Sequence, residues 1–292
     1  MLSFFRAIVI GLLQGVTELF PVSSLGHSVL IPALVGWDDL VKVQSQSESF
    51  FLAFLVALHV GTALALLVYF RHDWVKIIGG LLGSARARRV TTPDARLGLL
   101  LIVATIPAGI FGLAFEHALR TLFAKPEAAA ILLTVNGAIL LVGEALRRRV
   151  AAGVGYRGDG FSGGRRIDSL TYGEAVFIGC TQIGALFAGI SRSGITMVGG
   201  LMRGLDHEDA ARFAFLLATP IILGAGVYKL PDLAGHLGDG IRGQAFAGAV
   251  VAAVGAYVST RFLVRFFETK SLTPFGIYCL AVGAFGIVHF VL

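Results

Sequence analysis

The sequence predicts an all-α integral membrane protein, arranged as an inverted-topology repeat with six transmembrane helices and two re-entrant helix-loop-helix segments. The first observation is composition: of 292 residues, 56% are hydrophobic and 14% charged, and the mean hydropathy is +0.81. The second is six stretches of 16 to 22 residues without a charge. The third is an internal echo between two glycine-rich breaks. Together these observations exclude an ordinary water-soluble enzyme.

The six charge-free stretches predict the spans, because a helix of about 20 apolar residues crosses the hydrocarbon layer. Each half of the chain holds three of them. The first repeat, 1–146, has spans at about 50–70, 97–116 and 127–146, and the second, 172–292, at about 209–228, 243–262 and 272–291.

Two further apolar segments, 6–36 and 173–202, are each interrupted by a polar, glycine-rich break. A shift of 168 residues superimposes them without a gap, so that Gly11 meets Gly179, Gln14 meets Gln182 and Ser23 meets Ser191. Backbone groups at such a break cannot face lipid. We therefore expect both segments to be re-entrant, with their loops in a protein-lined cavity.

Three crossings per half place the two repeats in opposite orientations, which is an inverted-topology repeat. Loops and ends on the N-terminal face then carry six Lys and Arg residues, and the other face carries seventeen. The positive-inside rule puts the basic linker 147–171 and the loop 71–96 in the cytoplasm and both termini outside. Because the +6 net charge resides in these loops, we expect membrane lipid rather than nucleic acid as the partner.

The first break carries the residues suited to chemistry. Gln14 and Glu18 are four residues apart and share one helix face, followed by Ser23, Ser24 and His27. A carboxylate within a membrane segment is costly unless it lines a cavity or has a partner, so Glu18 predicts a functional site. The alternative is that Glu18 only ends a helix at the interface.

The second break is suited to an anion. Arg192 supplies a permanent charge, and glycines with hydroxyls can cap a following helix whose N-terminal amides favour phosphate. The residues concerned are Ser191, Arg192, Ser193, Gly194 and Thr196. The alternative is a structural ion pair between Arg192 and Glu18, and both roles are compatible. His59, within the first span, is expected to be a satisfied core histidine.

Two motifs, QGVTELFPVSSLGH at 14–27 and FAGISRSGIT at 187–196, resemble the signatures of the bacterial undecaprenyl-diphosphate phosphatases of the bacitracin-resistance type. The resemblance extends over essentially the whole chain in length, order of spans and repeat. Two departures are Ala188, where the family usually has proline, and Leu25, where it often has threonine.

The resemblance implies hydrolysis of undecaprenyl diphosphate to undecaprenyl phosphate and phosphate in the bacterial inner membrane. This reaction recycles the lipid carrier of peptidoglycan synthesis and gives bacitracin resistance. It also implies a divalent cation, Mg²⁺ or Ca²⁺, at Glu18 and Gln14.

Residue roles follow from the motifs and their chemistry. Arg192 is expected to clamp the diphosphate and His27 to act as general base. Ser24 is expected to be either the nucleophile or a ligand of the phosphate, in which case water attacks directly. Glu18 completes the expected catalytic set and, with Gln14, is expected either to hold a divalent cation or to orient His27. The expected substrate-binding residues are Gln14, Ser23, Ser191, Ser193, Gly194 and Thr196.

Other interpretations stay open at this point. Inverted repeats with broken helices are also a transporter design, so a membrane transporter or lipid flippase is the alternative. A second class of lipid phosphatase has Ser-Arg followed five residues later by His, but that position is Val198 here. The oligomeric state is undetermined, and a homodimer is one alternative.

Overall fold

The computed structural model describes residues 2–37, 39–40, 50–123, 125–153, 164–235 and 238–292. Within these residues the chain forms α-helices and short 3-10 turns and no β-strand, which confirms the all-α class. The α-helices are α1 Phe4–Thr17, α2 Ser24–Leu34, α3 Phe50–Tyr69, α4 Arg71–Ala87, α5 Pro93–Phe123, α6 Pro126–Gly153, α7 Tyr172–Thr181, α8 Arg192–Met202, α9 His207–Ala234, α10 Arg242–Phe267 and α11 Thr273–Phe290.

Six of these helices contain a segment long and apolar enough to cross a membrane. The segments are Phe50–Tyr69, Pro93–Phe115, Pro126–Arg148, His207–Tyr228, Arg242–Phe267 and Thr273–Phe290. Each contains or closely overlaps one of the charge-free stretches of the sequence. The protein is therefore a multi-pass membrane protein with six candidate spans.

The two interrupted segments form two pairs of short helices, α1 with α2 and α7 with α8. After each break a serine caps the next helix: Ser23 Oγ accepts from the amide of Gly26, and Ser191 Oγ accepts from the amide of Gly194. Serine is favoured at this position because its oxygen satisfies an amide that has no partner within the helix. A 3-10 turn, Gln182–Leu186, follows α7 and leads into the second break.

The short helices pack closely against long ones. Helix α1 lies against α10, and a Cβ added at Gly11 would be 2.4 Å from the carbonyl oxygen of Gly248. Helix α7 lies against α5, where only glycine at position 179 leaves room for the carbonyl of Ala104. Such close backbone approach replaces the hydrophobic effect as the main source of helix association in lipid.

Two regions expected to be loops are partly helical. The predicted loop 71–96 contains α4, which packs on the start of α5, because the buried Ile77 and Ser84 and the partly buried Leu81 lie on successive turns and form one face. The predicted linker 147–171 begins inside α6 and ends in a 3-10 turn, Ile167–Ser169, while 154–163 lie outside the described residues.

The end of the linker is anchored to α7. Arg165 forms an ion pair with Glu174 in the first turn of α7, and Glu174 also completes a capping box with Thr171. The Arg165 guanidinium, with help from the Thr171 amide and hydroxyl, lowers the pKa of Glu174 to about 2. Glu174 is therefore ionised at neutral pH.

Candidate active site

The two breaks contact each other, although about 170 residues separate them in sequence. The amide of Gly189 donates to Ser23 Oγ at 3.1 Å, and Ser193 Oγ donates to the Phe20 carbonyl at 3.3 Å. Arg192 Nη2 forms an ion pair with Glu18 Oε1. The charged residue of each break is thus the partner of the other.

Two residues at this junction have positive φ angles. Ser23 has φ +69°, which is unfavourable for a residue with a Cβ, and its hydroxyl bonds to Gly26 and Gly189 hold it there. Gly189 has φ +117°, and a Cβ there would be 2.6 Å from the Cβ of Leu132. The second break therefore needs glycine at position 189. Because Ala188 replaces the usual proline, no proline stiffens the chain before this glycine.

Asn136 of α6 joins the two breaks from the side. Its Oδ1 accepts from the Ser191 amide at 2.9 Å, and its Nδ2 donates to the Pro21 carbonyl at 3.1 Å. The side chain is fully buried. Sequence analysis missed this residue, although an asparagine in a charge-free stretch is a detectable signal because buried amides need partners.

Glu18 lies at the end of α1 with its carboxylate buried. Its Oε2 accepts from Gln14 Nε2 at 2.8 Å and from Ser24 Oγ at 2.5 Å, while its Oε1 faces Arg192. The carboxylate therefore connects a hydroxyl that could act as a nucleophile to a cation that could bind phosphate. The sequence-predicted Gln14, Glu18, Ser24 and Arg192 are thus in one cluster.

His59 of α3 also belongs to this cluster, although sequence analysis expected an ordinary core histidine. Its Nε2 is 3.3 Å from Glu18 Oε2, and its Nδ1 lies 2.8 Å from the Leu55 carbonyl one turn earlier. The sequence did not indicate that His59 lies beside Glu18, because residue spacing does not show which helix packs against the first break. The available signal was that His59 is the only titratable group between Glu48 and Tyr69.

His27 lies outside the cluster. Its Nδ1 is 2.7 Å from the Ser23 carbonyl, its Nε2 is 2.8 Å from the Tyr278 hydroxyl, and its ring stacks on Tyr278. Both ring nitrogens therefore have protein partners, and the ring is 2% exposed. In the structure the ring bonds to Ser23 and Tyr278 and does not line the cavity described below, and its role as general base stays a prediction.

A cavity of about 260 Å³ opens at the cluster. Its polar end is formed by Glu18, Ser23, Ser24, His59, Ser191 and Arg192. Its remaining wall is apolar, formed by Leu25, Val56, Ala185, Leu186, Ile190, Ile221, Ile222, Ala225 and Gly226. A charged end joined to an apolar wall suits an amphiphile with an anionic headgroup.

Four predicted binding residues do not line this cavity. Gln14 donates a hydrogen bond to Glu18, which does line the cavity. The Ser193 hydroxyl bonds to the Ser191 hydroxyl and the Phe20 carbonyl, and the Gly194 amide donates to Ser191 Oγ. Thr196 is buried, and its hydroxyl has no hydrogen-bond partner within the described part of the chain. Their expected roles in substrate binding stay predictions.

The oxygens beside Glu18 fit a divalent cation only in part. Gln14 Oε1 is buried and accepts no hydrogen bond from the described residues, so it is available as a ligand. However, no group of three or more His, Cys, Asp or Glu side chains that could hold a metal ion occurs in the described ranges. Magnesium and calcium need six or more oxygens, so this donor set fits a cation that takes most of its ligands from a bound diphosphate.

The fold and the cavity define a class: multi-pass helical membrane proteins with an internal site for an anionic amphiphile. The chain belongs to the bacitracin resistance protein BacA family, because the sequence model of that family matches residues 7–285.

Individual relatives match over nearly their full length. The chain is 53% identical to Undecaprenyl-diphosphatase 2 of Frankia alni, covering 99% of this chain and 98% of the relative. It is 54% identical to Undecaprenyl-diphosphatase of Mycolicibacterium paratuberculosis, with 98% and 97% covered. Undecaprenyl-diphosphatase of Acidiphilium cryptum is 48% identical, with 97% and 96% covered.

Proposed function

We propose that this chain hydrolyses undecaprenyl diphosphate to undecaprenyl phosphate and inorganic phosphate, and thereby recycles the lipid carrier for peptidoglycan synthesis and gives bacitracin resistance. One observation carries the proposal: Ser24, Glu18 and Arg192 are in contact at the polar end of a cavity with an apolar wall. The names of the relatives support a hydrolase and give no support to a transporter or flippase.

The diphosphate is held by charge and by two helix ends. Helices α2 and α8 both begin at the cavity, since their capping residues Ser23 and Ser191 line it. Helix N-termini favour phosphate through free amides and the helix dipole. Arg192 is paired with Glu18 in the structure, and in this proposal it turns its planar guanidinium to the phosphate oxygens when the diphosphate binds.

Ser24 is the nucleophile in this proposal, and Glu18 is its base. The Ser24 hydroxyl already donates to Glu18 Oε2, so its proton passes to the carboxylate as the oxygen attacks the terminal phosphorus. The bond from that phosphorus to the bridging oxygen breaks, and undecaprenyl phosphate leaves with the electron pair. The oxygen of a water then bonds to phosphorus as the Ser24 Oγ–phosphorus bond breaks; Glu18 returns its proton to Ser24 Oγ, and phosphate leaves with the protons of the water. Glu18 takes the role expected of His27, because both His27 nitrogens are engaged elsewhere.

A divalent cation is proposed as the cofactor, by resemblance to the family. Gln14 Oε1 and Glu18 would hold it together with the diphosphate oxygens. When bound, such a cation neutralises phosphate charge as it develops in the transition state.

The proposed placement in the bacterial inner membrane is an inverted repeat with two re-entrant segments, both termini outside and the linker 147–171 in the cytoplasm. The packing supports the repeat: α1 and α7 are equivalent under the shift of 168 residues, and each lies against the second candidate span of the other half, α10 and α5 respectively. The charge asymmetry of the loops supports the orientation.

The test is phosphate release by the purified protein in detergent micelles with undecaprenyl diphosphate. Micelles have no second compartment, so transport gives no signal. We expect release that falls with EDTA and returns with Mg²⁺ or Ca²⁺. Absence of release under all three conditions would refute the hydrolase, and release unaffected by EDTA would refute the cation alone.

A further inference from the structure

We propose that His59 is a positioning residue, which fixes the Glu18 carboxylate in the orientation that receives the Ser24 hydroxyl. The proposal rests on the assignment of Glu18 and Ser24 above. It adds a residue from α3 to a site that the two sequence motifs place only in the breaks.

The direction of the His59 ring is fixed by its own helix. Nδ1 lies 2.8 Å from the carbonyl of Leu55, which can only accept, so Nδ1 carries a proton and Nε2 is the end that faces the cavity. Because the ionised Glu18 carboxylate also only accepts, Nε2 must carry a proton as well to bond to it, so His59 holds Glu18 as an imidazolium that donates in both directions. Nε2 is 3.3 Å from Glu18 Oε2. A histidine whose second nitrogen is anchored in this way is a rigid contact for its neighbour.

Glu18 needs such a contact because its other supports are local or temporary. Gln14 and Ser24 lie four and six residues away in the same segment and move with it. Arg192 comes from the second break, but in the proposed reaction it turns to the phosphate and leaves Oε1. His59 is then the contact from outside the first segment that holds the carboxylate.

The position of His59 in the cavity wall also supports a role beyond packing. Val56 and His59 are one turn apart on α3 and both line the cavity, so this helix supplies an apolar contact and a polar one to the same space. A histidine that only filled the core would be replaceable by an apolar side chain of similar size. A positioning residue requires a polar group with the same reach.

The experiment compares three substitutions at His59. His59→Gln keeps a polar group with long reach, His59→Asn has the same amide one methylene shorter, and His59→Leu fills the space without a polar atom. We measure kcat, KM and the apparent Tm of each with undecaprenyl diphosphate in micelles. His289→Leu, which changes a histidine stacked on Phe285 at the far end of α11, is the matched control.

We expect kcat to fall about 10- to 100-fold in His59→Leu and His59→Asn, with KM changed less than about threefold, because in this proposal His59 acts on the chemical step through its contact with Glu18. His59→Gln should recover most of the loss. Near-normal kcat in both Leu and Asn variants, or a Gln variant as poor as Asn at equal Tm, would overturn the proposal. If His59→Leu fails to fold, the comparison of Gln with Asn decides. A wild type that releases no phosphate would instead refute the proposed function.

Discussion

Replacing Arg192 by methionine should destabilise the protein mainly because the buried carboxylate of Glu18 loses its cation. The two side chains are 18% and 5% exposed, so solvent screens the pair little. Removing one partner of a buried pair typically costs about 3–5 kcal/mol. Gln14 and Ser24 still donate to the carboxylate, so we expect the lower end, about 3 kcal/mol. At about 2–4 °C per kcal/mol, the apparent Tm should fall by about 6–12 °C.

A second substitution tests whether the unpaired charge of Glu18 causes the loss of stability in Arg192→Met. Glu18→Gln in the Arg192→Met background removes the unpaired charge, so it should recover at least about 1 kcal/mol of the loss, or about 2–4 °C. The assay is a thermal scan of wild type, Arg192→Met, Glu18→Gln and the double variant in one detergent at one scan rate. A double variant that melts no higher than Arg192→Met would refute the electrostatic argument, because lost packing at Arg192 cannot be recovered at Glu18.

Three other changes test the junction and the linker. Gly189→Ala should lower the apparent Tm and kcat together, because its Cβ would be 2.6 Å from the Leu132 Cβ; a variant as stable as wild type would contradict the close packing. Asn136→Leu should cost about 1–3 kcal/mol for each buried backbone group left unpaired, and a thermal scan that shows no loss would contradict the bridge. Arg165 lowers the pKa of Glu174 to about 2, below the ordinary value of 4.5. The ion pair therefore stabilises the folded protein at pH values above 4.5, and this stabilisation is lost as the pH falls towards 2. Because the pair is partly exposed, the effect is below about 1 kcal/mol, and Glu174→Gln should flatten the apparent Tm between about pH 5 and pH 3.

The spans and the breaks could be predicted because local properties determine them. A charge-free stretch such as 50–70 must be a helix if it crosses lipid, since its backbone has no other hydrogen-bond partners there. The breaks were visible because Ser23 and Ser191 each precede a glycine by three residues and cap the next helix. The cluster of Glu18 with Arg192 followed, since two opposite charges in a membrane protein favour one another.

The remaining features depend on tertiary contacts that sequence spacing does not contain. The surroundings of the two histidines depend on the fold: His27, which lies near serines in sequence, is turned to Tyr278, while His59, which lies in an apolar span, faces Glu18. Asn136 is important only because both breaks lie beside α6. Helix α4 was missed because its buried face is matched to α5 and its charges are typical of a loop.

The central claim is that the cavity at Arg192 and Glu18 is where the diphosphate is cleaved. Its most direct test is the rate of phosphate release from undecaprenyl diphosphate by purified Arg192→Ala, with Arg212→Ala as the control. Arg212 is also in an ion pair, with Asp73, but does not line the cavity. We expect kcat/KM to fall about 100-fold or more in Arg192→Ala and to stay within about threefold of wild type in Arg212→Ala. Near-normal release by a folded Arg192→Ala protein would contradict the account.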